Sequence, residues 1–162
     1  MMKKCNFVLF LSICMLIFAC KTAKKPTPVE VISAEETTET TTTWNFASNS
    51  QINLNDILAK AKVEKKLVFI DAYATWCGPC KLMDKNVFTH IPTAEFFNKN
   101  FISYKVNIEK DNGPTLQLLY EVSALPGLLF IDANGTLLLK EQNSITISQL
   151  KNLADRAIAK AK

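Results

Sequence analysis

The chain has 162 residues, 48% of them hydrophobic, with 19 Lys and Arg against 15 Asp and Glu. This length and composition fit one globular domain with a tail, and they exclude a collagen, a coiled coil and a wholly disordered chain. The net charge of +4 is small and no long basic run is present, so we expect no binding to nucleic acid.

The first 19 residues have the order of a secretory signal peptide. Lys3 and Lys4 form a short positive start, residues 7–18 are mostly apolar, and a small residue, Ala19, follows. The apolar stretch would rise only about 18 Å as a helix, well short of the roughly 30 Å hydrocarbon core of a bilayer. We therefore expect residues 1–19 to direct export and to be removed.

Cys20 directly follows the small residue, which resembles the lipobox of bacterial lipoproteins, where this Cys is acylated and becomes the first residue. Ile17 and Ala19 match that pattern, whereas Phe18 departs from it because a smaller residue is usual there. An anchor with more than one acyl chain is stable on a membrane. We expect lipidation at Cys20 and a protein of the bacterial cell envelope that faces the periplasm, on the inner or the outer membrane. An uncleaved N-terminal anchor and an ordinary secreted protein are the alternatives.

Residues 20–47 predict a disordered stalk behind that anchor. They contain Pro, charged residues and a Thr/Glu run at 35–43, and nothing that could form a core. We place the folded domain at residues 48–162, which is long enough for one self-sufficient core. Trp44 and Phe46 stand just before this boundary, and we expect them to pack in the core or at its edge.

The hydrophobic periodicity of the domain alternates between helix and strand, which predicts an α/β fold with a central mixed β-sheet flanked by helices. The run at 67–73 is almost continuously apolar, as in a central strand covered on both faces. Ala133-Asn134-Gly135 indicates a hairpin turn, and Thr146 begins a capping box. The predicted helices lie at 53–63, 81–87, 93–98, 115–120 and 146–160, and the predicted strands at 67–73, 101–108, 127–132 and 136–140.

Trp76-Cys77-Gly78-Pro79-Cys80 carries the chemistry, because it follows a strand and begins a helix. At a helix N-terminus, unpaired N–H groups and the helix dipole stabilise a Cys77 thiolate, the nucleophile of disulfide exchange. Cys80, one turn further on, can attack the resulting mixed disulfide and release the substrate. Pro79 suits the first turn of a helix. A zinc site and a purely structural disulfide are the alternatives, although zinc needs about four ligands.

This motif resembles the thioredoxin family, and the resemblance extends over roughly residues 50–160. It implies a thioredoxin fold, with Trp76, Gly78 and Pro79 supporting the Cys pair, no metal, and no cofactor beyond the Cys77–Cys80 disulfide. The segment 86–97 is similar to exported thioredoxin-like C-terminal domains of transmembrane reductant conduits and related lipoproteins.

One residue of that segment, His90, is the only His of the chain. We interpret it as a loop residue, with a role as an acid or base near the site as the alternative.

The resemblance also assigns roles to Asp71 and Lys105. Asp71 stands six residues before Cys77, at the position of the family's buried carboxylate. An Asp inside an apolar strand is costly unless it is paired or protonated, so its pKa should be raised and it could accept the proton of Cys80. Lys105 matches a Lys on the neighbouring strand close to that Asp. A solvated Asp at the strand end and a Lys that extends to solvent are the alternatives.

Pro126 resembles the family's cis-proline, which faces the Cys pair. The preceding backbone, at Leu125, would then pair with the extended substrate chain, and a trans-Pro at a strand start is the alternative. The chain departs from the family's pattern around the groove, with Gly127 in place of the usual Thr, Tyr73 in place of the usual Trp, and no Gly in the loop at 142–145. These departures concern the choice of partner more than the chemistry.

From these residues we expect a thiol–disulfide oxidoreductase that reduces protein disulfides in the cell envelope. Its partners would be protein thiols and disulfides and a membrane electron donor, since a reductase in an oxidising compartment needs a continual supply of electrons. A disulfide oxidase or isomerase is the first alternative. A non-catalytic lipoprotein that binds extended peptides is an alternative of another class.

Overall fold

The computed structural model describes residues 43–162. Every strand and helix predicted above is present, each within about three residues of the expected bounds. One further strand, β1, opens the domain. In chain order the elements are β1 (Phe46–Ser48), α1 (Leu54–Glu64), β2 (Leu67–Tyr73), α2 (Gly78–Asn86), α3 (Ile91–Asn100), β3 (Phe101–Asn107), α4 (Gly113–Leu119), β4 (Gly127–Ile131), β5 (Leu137–Glu141) and α5 (Ile147–Lys160).

The strands form one mixed sheet in the order β1-β3-β2-β4-β5. β1, β3 and β2 are parallel, and β4 and β5 run antiparallel to their neighbours. β2 is therefore central, and its register places Asp71 between Lys105 of β3 and Leu128 of β4. This register brings the two predicted polar residues side by side.

The two faces of the sheet each carry an apolar cluster, because successive side chains of β2 point to opposite faces. Ile70 lies in the cluster that includes residues of α1 and α4 and both active-site cysteines. Phe69 lies in the other cluster, with residues of α2, α3 and α5. Burial on both faces explains why β2 is apolar along nearly its whole length.

The folded domain begins earlier than the boundary predicted after residue 47. Trp44 packs its indole 4.5 Å from the Phe97 ring and 5.3 Å from the Phe46 ring, between ring centroids. Its Nε1 donates a hydrogen bond to Ser103 Oγ at 2.8 Å. With Phe69 and Phe88, these rings form what we call the aromatic cluster. The last residues predicted as stalk therefore belong to the folded domain. Trp44 and Phe46 pack in its core or at its edge, as predicted.

Two predicted helix starts have the expected caps. Asn53 Oδ1 accepts the N–H of Asp56 at 3.1 Å at the start of α1. At α5, Thr146 Oγ1 accepts the N–H of Gln149 at 3.3 Å, while Gln149 Oε1 accepts the N–H of Thr146 at 2.8 Å. This capping box fixes the end of the loop that leads from β5 into α5.

The predicted signal peptide at 1–19, the lipidation site Cys20 and most of the predicted stalk lie outside the described residues. Within residues 43–162, no helix has the length and apolar character needed to cross a membrane.

Candidate active site

Cys77 and Cys80 form a disulfide at the N-terminus of α2. Cys77 is the N-cap residue, and its Sγ accepts the backbone N–H of Cys80 at 3.2 Å. The first turn of α2 contains no acidic side chain and has Pro79 at one of its first two positions. When the pair is reduced, the same N–H and the helix dipole stabilise a thiolate at Cys77.

The disulfide is shielded, and an exposed indole lies beside it. Cys77 and Cys80 are each only 2% exposed, whereas Trp76 is 67% exposed. The Trp76 Nε1 donates a hydrogen bond to Glu109 Oε1 at 2.8 Å, just after β3. The exposed ring that precedes Cys77 in the chain is therefore tied to a carboxylate that follows β3.

Asp71 is buried in β2, with a side chain that is 1% exposed. Lys105 Nζ donates to its Oδ2 at 2.5 Å, and its buried Oδ1 has no hydrogen-bond partner among the described residues. Burial raises the pKa of Asp71 above its ordinary value, and the positive charge of Lys105 opposes this only in part. The solvated strand-end alternative does not fit this burial. A carboxyl group of this kind can take up and hold a proton inside the domain.

Lys105 is held from two sides. Its Nζ also contacts Asp84 Oδ1 at 2.5 Å, and Asp84, on α2, is 44% exposed. Burial alone would lower the pKa of Lys105, but Asp71 and Asp84 outweigh it, so the pKa lies above its ordinary value. Lys105 is thus a cation that links the buried carboxyl group to one at the surface, and not a Lys that extends freely into solvent.

Tyr73 contributes to the environment of this Lys as well as standing at the end of β2. Its ring centroid lies 4.8 Å from Lys105 Nζ, and two Phe rings lie at 5.3 and 5.5 Å. Cations are stabilised over aromatic faces at such distances. The departure at Tyr73, which the sequence assigned to the substrate groove, therefore borders the ion pair.

The Leu125–Pro126 peptide bond is cis, as the resemblance implied. Leu125 packs against the apolar cluster that contains both cysteines, so the loop before Pro126 and the disulfide border the same side of the sheet. Gly127 follows and pairs with Ala72 of β2. A Cβ on Gly127 would lie 2.8 Å from Val122 Cγ1, so a Thr at this position requires Val122 to shift.

His90 precedes α3 as its N-cap residue, and its Nδ1 pairs with Thr93 Oγ1 at 2.7 Å. This position agrees with the interpretation of His90 as a loop residue, and its Nδ1 pairs with a residue in the first turn of the helix that follows. Among residues 43–162, no three or more His, Cys, Asp and Glu side chains come together in a way that could hold a metal ion.

Sequence reasoning missed Asp84, Glu109 and Gln142. Asp84 stands four residues after Cys80, hence on the same face of α2, and this spacing could have pointed to it. Glu109 lies two residues after the end of β3, and Trp76 follows the end of β2. Because the two strands are parallel, both residues lie at the same edge of the sheet, which was a weaker signal for their contact. Gln142 contacts a loop 18 and 19 residues before it, and no local pattern indicates that contact.

A disulfide at a helix N-terminus, a buried acid on the preceding strand and a cis-Pro loop that packs on the same apolar cluster as the disulfide together define a thiol–disulfide oxidoreductase domain.

Comparisons with known proteins agree with that class. A sequence model described as thioredoxin-like matches residues 49–133. The thioredoxin of Buchnera aphidicola is 33% identical over 112 residues, which cover 68% of this chain and 98% of that protein. The thiol:disulfide interchange protein DsbD of Vibrio vulnificus is 36% identical over 84 residues, and Thioredoxin-T of Drosophila melanogaster 34% over 74. These segments cover 51% and 46% of this chain.

The chain spans only 14% of the Vibrio protein and 44% of the Drosophila protein. Among solved structures, a candidate disulphide-isomerase from Bacteroides thetaiotaomicron superposes with a TM-score of 0.64 and 33% identity, over 72% of this chain and 93% of that one. The chain belongs to the thioredoxin-like family.

Proposed function

We propose that the protein reduces disulfides of exported proteins by dithiol–disulfide exchange. The observation that carries this proposal is the position of Cys77 as the N-cap of α2, with its Sγ accepting the N–H of Cys80. In the reduced protein, the Cys77 thiolate attacks one sulfur of the substrate disulfide. A mixed disulfide forms, and the other substrate sulfur leaves as a thiolate that takes a proton.

Resolution requires Cys80 to lose a proton inside a shielded site. Asp71 is the acceptor that we assign, because it is buried, has a raised pKa and keeps one oxygen without a partner among the described residues. The Cys80 sulfur then attacks Cys77 Sγ, and the first substrate sulfur leaves and is protonated. The substrate gains two electrons and two protons, and the Cys77–Cys80 disulfide forms.

We infer the direction of electron flow from the residues between the cysteines. Gly78 and Pro79 resemble the reducing members of the family, whereas oxidising members more often carry a His that stabilises the thiolate further. Isomerisation is the second candidate, favoured by the Bacteroides relative described as a candidate disulphide-isomerase. The two activities differ in the reduction potential that each requires.

We place the protein in the cell envelope, held to a membrane by a lipid on Cys20. A reductase there must be re-reduced after each turnover, and a membrane protein that passes electrons outward would serve as the donor. The DsbD proteins among the relatives, named for thiol:disulfide interchange, support such a pathway. Metabolic labelling with palmitate tests the anchor: label lost on Cys20→Ala supports it, and label retained contradicts it.

Trapping of the mixed disulfide tests the chemistry. Cys80→Ser cannot resolve, so disulfide-linked adducts with substrate proteins should accumulate on non-reducing gels and disappear with reductant. Cys77→Ser is the matched control, since it keeps one thiol in the same motif but lacks the attacking one. Adducts with Cys77→Ser and none with Cys80→Ser would reverse the assigned roles, and adducts with neither would refute the activity.

A further inference from the structure

The side chain of Gln142 is attached to the loop that precedes Pro126. Its Oε1 accepts the backbone N–H of Ser123 at 2.7 Å and that of Ala124 at 3.0 Å. The Ser123 hydroxyl lies 3.3 Å from the same oxygen. One amide oxygen thus collects the two consecutive backbone donors that lead into Leu125.

A second side chain from the same part of the chain holds the start of this loop. Lys140, in β5, donates to the carbonyl oxygens of Tyr120 and Glu121 at 2.9 and 3.0 Å. Lys140 lies in β5 and Gln142 directly follows that strand, so one short segment of the chain supplies both side chains. This segment binds carbonyl oxygens at the start of the loop and N–H groups further along it.

Stability alone does not explain the contact with Gln142. Ser123 and Ala124 are exposed, so water could bind the same two N–H groups at little cost. Water molecules would not hold the two N–H groups at one fixed position, as the single Gln142 oxygen does. The contact therefore sets where the loop lies more than whether the domain folds.

The fixed loop presents a backbone that is open to a partner. No hydrogen bond between described residues uses the N–H or the C=O of Leu125, which is only half-buried. An extended chain can pair with such groups as an added strand would. The position of these groups relative to Cys77 then decides whether the substrate sulfur arrives in line for attack.

We propose that Gln142 is a positioning residue for the substrate main chain. By fixing the N–H groups of Ser123 and Ala124, it orients Leu125 to pair with an extended peptide whose disulfide faces Cys77. The inference rests on the proposed function and adds a prediction on substrate class: disulfides within an extended peptide depend on Gln142, and small disulfides without a peptide chain do not.

Gln142→Met tests this, because Met has nearly the same length and no comparable acceptor. With a peptide disulfide, kcat/KM should fall about tenfold, mainly through a higher KM. This is the effect expected when about two ordinary hydrogen bonds between Leu125 and the substrate main chain are lost from the bound complex. With 2-hydroxyethyl disulfide, kcat/KM should stay within about twofold of the original protein, since no main chain is bound. Gln142→Glu keeps an acceptor oxygen at the same reach and should restore most of the peptide rate.

Asp155→Asn is the control, because Asp155 is an exposed residue of α5 whose side chain pairs with Lys151 at 2.8 Å, and the change should leave both rates unchanged. Amide hydrogen exchange at Ser123 and Ala124 should be faster in Gln142→Met. Equal loss of both rates, an unchanged peptide rate, or unchanged exchange at those two amides would overturn the role of Gln142. Failure of the original protein to reduce either disulfide would instead refute the proposed function.

Discussion

Replacing Asp71 by Asn should make the oxidised protein more stable above neutral pH. The Asp71 carboxyl group is buried, and one of its oxygens has no partner among the described residues, so its ionised form is poorly compensated. A buried polar group without a partner costs about 1–3 kcal/mol in mutational data. In the variant, Lys105 keeps its contact with Asp84, so no unpaired cation is left behind. We therefore expect a gain of about 1–3 kcal/mol in the free energy of unfolding.

The gain should depend on pH with a definite sign. The folded-state pKa of Asp71 is raised above its unfolded value of about 3.9. Below that value the group is protonated in both states, and the stability linked to it is fully present. As the pH rises through the folded-state pKa, the folded state must release a proton at a cost, and this stability is lost. The two proteins should therefore differ little near pH 4, to within about 0.5 kcal/mol, and diverge as the pH rises.

Urea unfolding between about pH 4 and pH 9, in steps of about half a unit, measures this difference. Asp155→Asn is the matched control, because Asp155 is an exposed Asp paired with Lys151 across one helical turn. Its effect should stay below about 0.5 kcal/mol at every pH. If the free energies of unfolding of the original protein and of Asp71→Asn change with pH in parallel, the pKa of Asp71 is not raised. If the variant is less stable than the original protein at pH 8, the ionised Asp71 carboxylate is well compensated and the reasoning is wrong.

Three further substitutions test other contacts described above. Asp84→Asn removes a negative charge that raises the Asp71 pKa, so in urea unfolding the Asp71-linked loss of stability should be smaller and should level off at a lower pH; an unchanged curve contradicts the link. Gly127→Thr places atoms within reach of Val122 and should cost about 1–3 kcal/mol of stability, with a neutral result contradicting the close contact. Trp44→Ala should lower the free energy of unfolding by about 3 kcal/mol, because Trp44 belongs to the aromatic cluster. A loss below about 1 kcal/mol would show that Trp44 does not contribute to the core.

Much of the fold could be predicted because its signals are local. The apolar run of β2 and the capping box at Thr146 each lie within a few residues. β1 could not be predicted in this way. It has three residues, too few for an alternating pattern, and it is held by pairing with β3 and by aromatic packing more than 20 residues away. The domain boundary was misplaced for the same reason.

The site divides in a similar manner. Cys77 and Cys80 are one motif, and the pairing of Asp71 with Lys105 follows once β2 and β3 are neighbours in register. The second partner of Lys105 and the contact of Gln142 with the loop depend on how helices and loops pack against the sheet. Such contacts join segments with no shared sequence pattern, and only the three-dimensional structure brings them out.

The reduction potential of the Cys77–Cys80 couple tests the proposed reductase most directly. Equilibration of the purified protein with glutathione or dithiothreitol buffers of known potential, read from the fraction of free thiol, provides the value. We predict a potential near that of thioredoxin, about −270 mV, since the residues between the cysteines are those of reducing members. A potential near about −120 mV, as in strong oxidants of the family, would contradict the reductase and favour the oxidase.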